Sequence, residues 1–241
     1  MFSLFNKSTV SALEVDIHSH LIPGIDDGCK TIEDSLSILE SLKKAGISKV
    51  ITTPHIAKEF YPNTPEIIRK GLADVRKALE SASIDIQLEA AAEYYMDEHL
   101  LKMLKDDEPL LTFGDNLLLF ETPFMNKPPF FDEVVFEMLS RGFTPVFAHP
   151  ERYQYCFDDR DFLVKLKEKK VKLQVNSGSL IGYYSRPIQK MAHWMMKNQL
   201  IDYLGSDIHN RKHLNAFIKF RDSKDYQKLL KLKILNDHLL T

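Results

Sequence analysis

Short runs of apolar and β-branched residues alternate along the chain with longer stretches whose apolar positions recur every three or four residues. The short runs predict strands over residues 14–20, 49–53, 84–92, 116–121, 144–149, 171–175 and 202–205. The longer stretches predict helices starting after Thr31 and over residues 65–82, 131–141, 161–170, 187–198 and 226–239. The first helix has the clearest signature. Thr31 suits an N-cap, and Glu33 and Asp34 suit the positive end of the helix dipole. Ile32, Leu36, Leu39 and Leu42 follow at helical spacing, and Gly46 stands where the helix should stop. Such alternation builds βα units around a parallel sheet. About seven strands in 241 residues favour an α/β fold closed as a distorted (β/α)7 TIM-like barrel over an open sheet. The glycine fingerprint of a dinucleotide-binding sheet is absent.

No Pro/Gly/Ser-rich linker interrupts the pattern, so residues 1–241 are expected to form one domain, with 1–11 a loosely ordered leading segment. Hydrophobic residues make up 44% and charged residues 27%, which suits a soluble globular chain with a sizeable core. The net charge of −2 gives no general attraction to nucleic acid or membranes. Residues 1–7 lack the apolar stretch of a signal peptide, and no run reaches the roughly 18 apolar residues of a membrane span. Cys29 and Cys156 are too few for a disulfide framework, and a reducing, cytoplasmic setting is expected.

The informative chemistry lies at the predicted strand ends. His18 and His20, two apart on a strand, face the same side. Asp207 and His209 repeat that spacing after the last strand. Glu93, Glu121 and His149 close three other apolar runs, His55 follows a fourth, and Asp27 sits in the loop after the first strand. In a barrel these ends converge on one mouth. So many ionisable groups side by side need a partner, and cations are the economical one. Imidazole and carboxylate without thiolate suit Mn, Fe or Zn, and nine donors suit two or three ions. Taken singly, each has an ordinary reading as a packed histidine or a solvated carboxylate; the joint pattern carries the argument. His99, His193, His213 and His238 fall in helical or polar contexts and read as packing or surface residues.

A cysteine phosphatase needs an arginine six positions after its nucleophile, but Ser35 and Phe162 stand there. Both thiols therefore read as packing or surface groups, and no serine-hydrolase elbow is present.

Asp16-Ile17-His18-Ser19-His20, Pro23-Gly24-Ile25-Asp26-Asp27-Gly28 and Thr53-Pro54-His55 resemble the opening of PHP-domain (polymerase and histidinol phosphatase) proteins. Glu121-Thr122-Pro123-Phe124, His149-Pro150-Glu151-Arg152-Tyr153, Asn176-Ser177-Gly178-Ser179-Leu180 and Gly205-Ser206-Asp207-Ile208-His209-Asn210 narrow the likeness. Together they are similar to the manganese-dependent tyrosine phosphatases of bacterial capsule and exopolysaccharide operons. The resemblance runs from about Val15 to His209. It implies the PHP barrel, a trinuclear site, and metal binding by His18, His20, Asp27, His55, Glu93, Glu121, His149, Asp207 and His209. It assigns phosphate binding to Arg152 and offers Arg211, which comes early after the Asp-x-His motif, as the second family arginine. The implied substrate is the tyrosine-rich tail of a membrane-bound autokinase of polysaccharide export. Arg186, Arg211 and Lys212 could attract such a tail, and Tyr94, Tyr95, Tyr153, Tyr155, Tyr183 and Tyr184 could line the mouth or simply pack the rim. Three other readings stay open: a histidinol-phosphate type of phosphatase, an amidohydrolase, and a metal-stabilised module without turnover. The amidohydrolase is disfavoured because Glu93, Glu121 and an Asp-x-His pair occupy the places of its lysine and lone aspartate.

Overall fold

The computed structural model describes residues 12–240, so the expected loose segment over 1–11 lies outside the described residues. Strand β1 (Val15–Asp16) is followed by α1 (Ile32–Lys44), β2 (Lys49–Thr52), β3 (His55–Ile56), α2 (Pro65–Ser81), β4 (Gln87–Ala90) and β5 (Glu93–Tyr95). Next come α3 (Glu98–Lys105), β6 (Leu117–Glu121), α4 (Phe131–Ser140) and β7 (Thr144–Ala148). A 3-10 turn at Pro150–Arg152 leads to α5 (Gln154–Asp158), α6 (Asp161–Glu168), β8 (Lys172–Asn176), α7 (Ser177–Leu180) and α8 (Arg186–Lys197). The chain finishes with β9 (Tyr203–Gly205), α9 (Arg211–Arg221), α10 (Lys224–Leu229) and a second 3-10 turn, Asn236–Leu239.

Every described strand ladder is parallel, as the strand–helix alternation requires. The ladders form two sheets, ordered β1-β2-β4 and β3-β5-β6-β7-β8-β9. Pro54, which has no N–H to give to a ladder, separates β2 from β3, and the neighbouring strand breaks at the same level, between β4 and β5. Backbone bonds carry across the break: Ala91 N donates to Thr52 O at 2.9 Å, and Glu93 N to Pro54 O at 3.1 Å. The chain beyond β9 returns beside the chain beyond β1, with Asp207 N donating to His18 O at 2.8 Å and His20 N to Ile208 O at 2.9 Å. The strands predicted over 14–20 and 84–92 are therefore shorter as ladders, because the backbone leaves regular pairing where it delivers side chains to the site.

Inside the strands, Val15, Ile17, Ile51, Ala91, Leu117, Leu119, Val146, Ala148 and Tyr203 form one apolar cluster. Alternation places Glu121 on the face of Leu117 and Leu119, and Glu93 on the face of Ala91. A larger cluster includes Phe120, Phe131, Phe147 and Leu173, and a third joins Ile38, Leu39 and Leu42 of α1 to Val50 and Leu88. Helix α1 carries the expected cap, with Thr31 and Asp34 exchanging side-chain and backbone bonds. The helix predicted over 226–239 stops at Leu229, because Leu232 and Leu235 pack into different apolar clusters and Asn236 is drawn out of helical register. Asn236, fully buried, accepts from Leu204 N at 2.9 Å and donates to Val15 O at 2.9 Å and Leu204 O at 2.7 Å. It thereby staples β9 to β1. Among the described residues no helix is long and apolar enough to cross a membrane.

Candidate metal centre

All nine predicted donors meet at the C-terminal ends of the strands. Four overlapping groups each hold ligand atoms within 4.8 Å of one another: His20-Asp27-His55-His209, His18-Glu93-His149, His18-His20-Asp207 and His55-Glu93-Glu121. The sharing of His18, His20, His55 and Glu93 between groups makes adjoining cation positions rather than separate ones. Glu93 is the hub. Its Oε2 is buried without a hydrogen-bond partner, yet lies 3.2 Å from His18 Nε2, 3.4 Å from His20 Nε2 and 3.2 Å from His55 Nδ1. Its Oε1 lies 3.0 Å from His149 Nε2. His55 Nδ1 is likewise buried and unpartnered, 3.1 Å from Glu121 Oε1. A buried polar atom left unpaired costs about 1–3 kcal/mol, and shared cations remove that cost for all of these atoms together. The residues present fit a cluster of divalent ions.

Three of the imidazoles, those of His18, His20 and His209, are aimed by a bond at the far nitrogen. His20 Nδ1 meets Asp26 Oδ2 at 2.8 Å, and His209 Nδ1 meets the carbonyl of Asp207 at 3.0 Å. Asp26 is itself held by Gly28 N at 2.9 Å, where a Cβ on Gly28 would fall 2.3 Å from His20 O. His18 is set by a longer relay. Asp207 is a carboxylate, so Asn176 Nδ2 must donate to its Oδ2, at 2.6 Å. That turns Asn176 Oδ1 toward Gln174 Nε2 at 2.9 Å, and Gln174 Oε1 toward His18 Nδ1 at 2.8 Å. His18 therefore carries its proton on Nδ1 and can present the Nε2 lone pair to the cluster. Burial alone disfavours a charged His18, but Glu93 and Asp207 outweigh it and raise its pKa to about 9. Burial likewise opposes ionisation of Asp207, and His18, His209 and Arg152 overcome it and hold the carboxyl well below the usual range. Two of the donors have left-handed backbone, His149 at φ 35° and Asp207 at φ 54°. Non-glycine residues adopt it at a cost of roughly 1–2 kcal/mol, commonly at functional sites.

Over the donors lies a cleft of about 310 Å³ whose walls include Phe124, Arg152, Tyr184, Asn210 and His213. Arg152 Nη1 donates to Asp207 Oδ2 at 2.9 Å. Its guanidinium carbon sits 4.5 Å from the Tyr184 ring centre and 4.9 Å from that of Phe124. Arg211 does not line this cleft. Its Nη2 donates to Ser37 Oγ at 2.7 Å, and it borders an adjoining cavity shared with Asp27 and His209. Of the tyrosines singled out by sequence, Tyr184 reaches the cleft, whereas Tyr94 and Tyr153 are buried in the core. His213, read as a packing or surface residue, instead faces the cleft, its Nδ1 3.0 Å from the carbonyl of Asp207. Its signal was position, one helical turn after His209 on α9. Both cysteines are free and buried, and burial pushes the Cys29 thiol up to about 11 and raises that of Cys156 as well.

The chain as a whole resembles known proteins. Tyrosine-protein phosphatase YwqE of Bacillus subtilis is 28% identical over 201 residues, covering 83% of this chain and 79% of its own. Tyrosine-protein phosphatase CpsB of Streptococcus pneumoniae is 27% identical over 202 residues, covering 81% and 83%. The crystal structures of YwqE from B. subtilis and CpsB from S. pneumoniae, described as metal-dependent tyrosine phosphatases, include a chain that superposes with a TM-score of 0.82 at 27% identity, over 94% of both chains. Residues 14–227 match the profile of the family described as capsular polysaccharide synthesis, CpsB/CapC, and the chain belongs to that family.

Proposed function

We propose that this chain is a metal-dependent phosphatase that removes phosphate from tyrosine residues of protein. The observation that carries the reading is Glu93 Oε2, a buried carboxylate oxygen ringed by three imidazoles and bonded to none of them. His18, His20, Asp27, His55, Glu93, Glu121, His149, Asp207 and His209 would hold two or three ions. The nitrogen and oxygen donor set, without thiolate, suits Mn best, with Fe and Zn the alternatives. Bound divalent ions supply hydroxide from water at neutral pH and positive charge for the phosphate oxygens.

The chain's own groups supply the remainder. Arg152, held by Asp207 and between two aromatic rings, presents its other N–H groups to the cleft, where a phosphate can take charge-assisted bonds from a fork already in place. His213, kept neutral by burial, adds a polar wall rather than a second positive charge. Arg211, across the adjoining cavity, is assigned to anionic groups of the substrate outside the central cleft. The leaving phenolate has a parent pKa near 10 and departs with modest help. The family's link to capsular polysaccharide synthesis and the names of the relatives support a phosphotyrosine protein as substrate; the substrate assigned here is the tyrosine-rich tail of an autokinase of polysaccharide export, met in the cytoplasm.

The test is phosphate release from a phosphotyrosine peptide by manganese-loaded protein beside a chelator-stripped sample. Release that disappears on stripping and returns with manganese supports the proposal. Faster release from histidinol phosphate would move the assignment to small esters. Peptide binding without release would make the chain a metal-stabilised binding module.

A further inference from the structure

We infer that Phe124 is the aryl platform of the cleft, the residue that selects aryl over alkyl phosphates. The inference rests on the phosphatase reading for its substrate and deepens it. Phe124 is a large apolar residue left 43% exposed at the edge of a cleft otherwise built of charged and polar groups. Scattered exposed phenylalanines are ordinary, but this one is fixed. Its carbonyl accepts from Gln154 N at 2.8 Å, which ties the loop after β6 to the start of α5. Its ring packs against Tyr153 with centres 5.4 Å apart and lies within 13° of parallel to the His149 imidazole at 6.2 Å. The Arg152 guanidinium rests 4.9 Å from its centre.

One rigid ring thus adjoins both a donor of the metal cluster and the arginine assigned to phosphate. An aryl phosphate carries its ring one ester oxygen from phosphorus. With the phosphoryl group at Arg152 and His149, the substrate ring comes to lie beside Phe124, and aromatic pairs attract at centre separations of roughly 4.5–7 Å. A serine or sugar phosphate has no ring to place there. Phe124 also stacks with the arginine that binds phosphate, so the platform and the phosphate contact form one preassembled unit.

Calorimetric titration of metal-loaded protein with benzylphosphonate and ethylphosphonate, neither of which can be hydrolysed, tests this directly. The wild type should favour the benzyl compound, and Phe124→Leu should lose roughly 3- to 10-fold of that preference, the range an aromatic pair supplies. Phe124→Tyr should keep it, and equal metal content in all three proteins shows the donor cluster intact. A Phe124→Leu protein with the full preference, or a wild type with none, overturns the platform. Phosphate release from a phosphotyrosine peptide is read in parallel. A Phe124-dependent preference without release sinks the phosphatase assignment and leaves the platform standing, whereas release with an unchanged preference in Phe124→Leu sinks the platform alone.

Discussion

Gln174→Met removes the centre of the relay that orients His18 while nearly conserving volume. Gln174 is fully buried, so no water replaces what is lost. Two bonds go: His18 Nδ1 to Gln174 Oε1 at 2.8 Å and Gln174 Nε2 to Asn176 Oδ1 at 2.9 Å. Each leaves a buried group unpaired at about 1–3 kcal/mol, and methionine packing returns part of that, so a net loss of about 2–4 kcal/mol is expected. For a domain of this size about 1 kcal/mol corresponds to roughly 2–4 °C in melting temperature, hence a fall of about 5–15 °C in chelator-stripped protein. The imidazole is then free to turn or to move its proton to Nε2. Loss of such an outer partner weakens metal binding by about 10- to 100-fold. Competition against a manganese chelator reads that directly. A Gln174→Met protein that binds manganese as tightly as wild type would refute the claim that the relay sets the His18 ring.

Arg152→Ala should leave metal content unchanged, since its contact to Asp207 is backed by Asn176, while lowering kcat/KM on phosphotyrosine peptide by about 100-fold; an empty site in this variant would show that the arginine serves the cluster instead. In stripped protein the raised pKa of His18 stabilises the fold by about 3 kcal/mol below pH 6.5, and this is lost as pH climbs through about 9. Urea unfolding in chelator at pH 6 and pH 9.5 should show that decline, and stability that stays level or grows across this interval contradicts the account. Gly205→Ala places a methyl 2.7 Å from His18 Cβ and 2.5 Å from Gln174 Nε2. It should therefore destabilise by about 1–3 kcal/mol, measured by denaturant midpoint, and loosen metal binding as well.

The donor cluster is legible in the sequence because parallel βα units bring their strand ends together, so a list of strand ends is already a list of neighbours. Residues placed by other means are less so. Helix α9 was not anticipated, although Leu214, Phe217 and Phe220 are buried at helical spacing and Asn210 caps it. Its many charged residues mask the apolar spacing, and His213 on it reads as a packing or surface residue rather than a cleft residue. The strand over 84–92 reads as one run because Ala91 and Ala92 fit a strand; only backbone pairing shows that they pass from one sheet to the other. The place of Arg211 depends on the turn at which α9 begins, which spacing alone does not fix. The relay from Asp207 to His18 joins residues far apart in sequence, and nothing local marks Gln174 as its link.

The staple made by Asn236 also bears on when the protein can become active. His18 and His20 emerge in synthesis well before Asp207, His209 and the Asn236 side chain that binds β9 to β1. The contact of Asn236 with Val15 spans 221 positions, and such long-range closures form late because chain entropy is lost before they are rewarded. Until Asp207 and His209 have emerged, two of the nine donors are missing and two of the four donor groups are incomplete. A mutation that loosens Asn236 should slow the recovery of metal-dependent activity on refolding more than it lowers the activity finally reached.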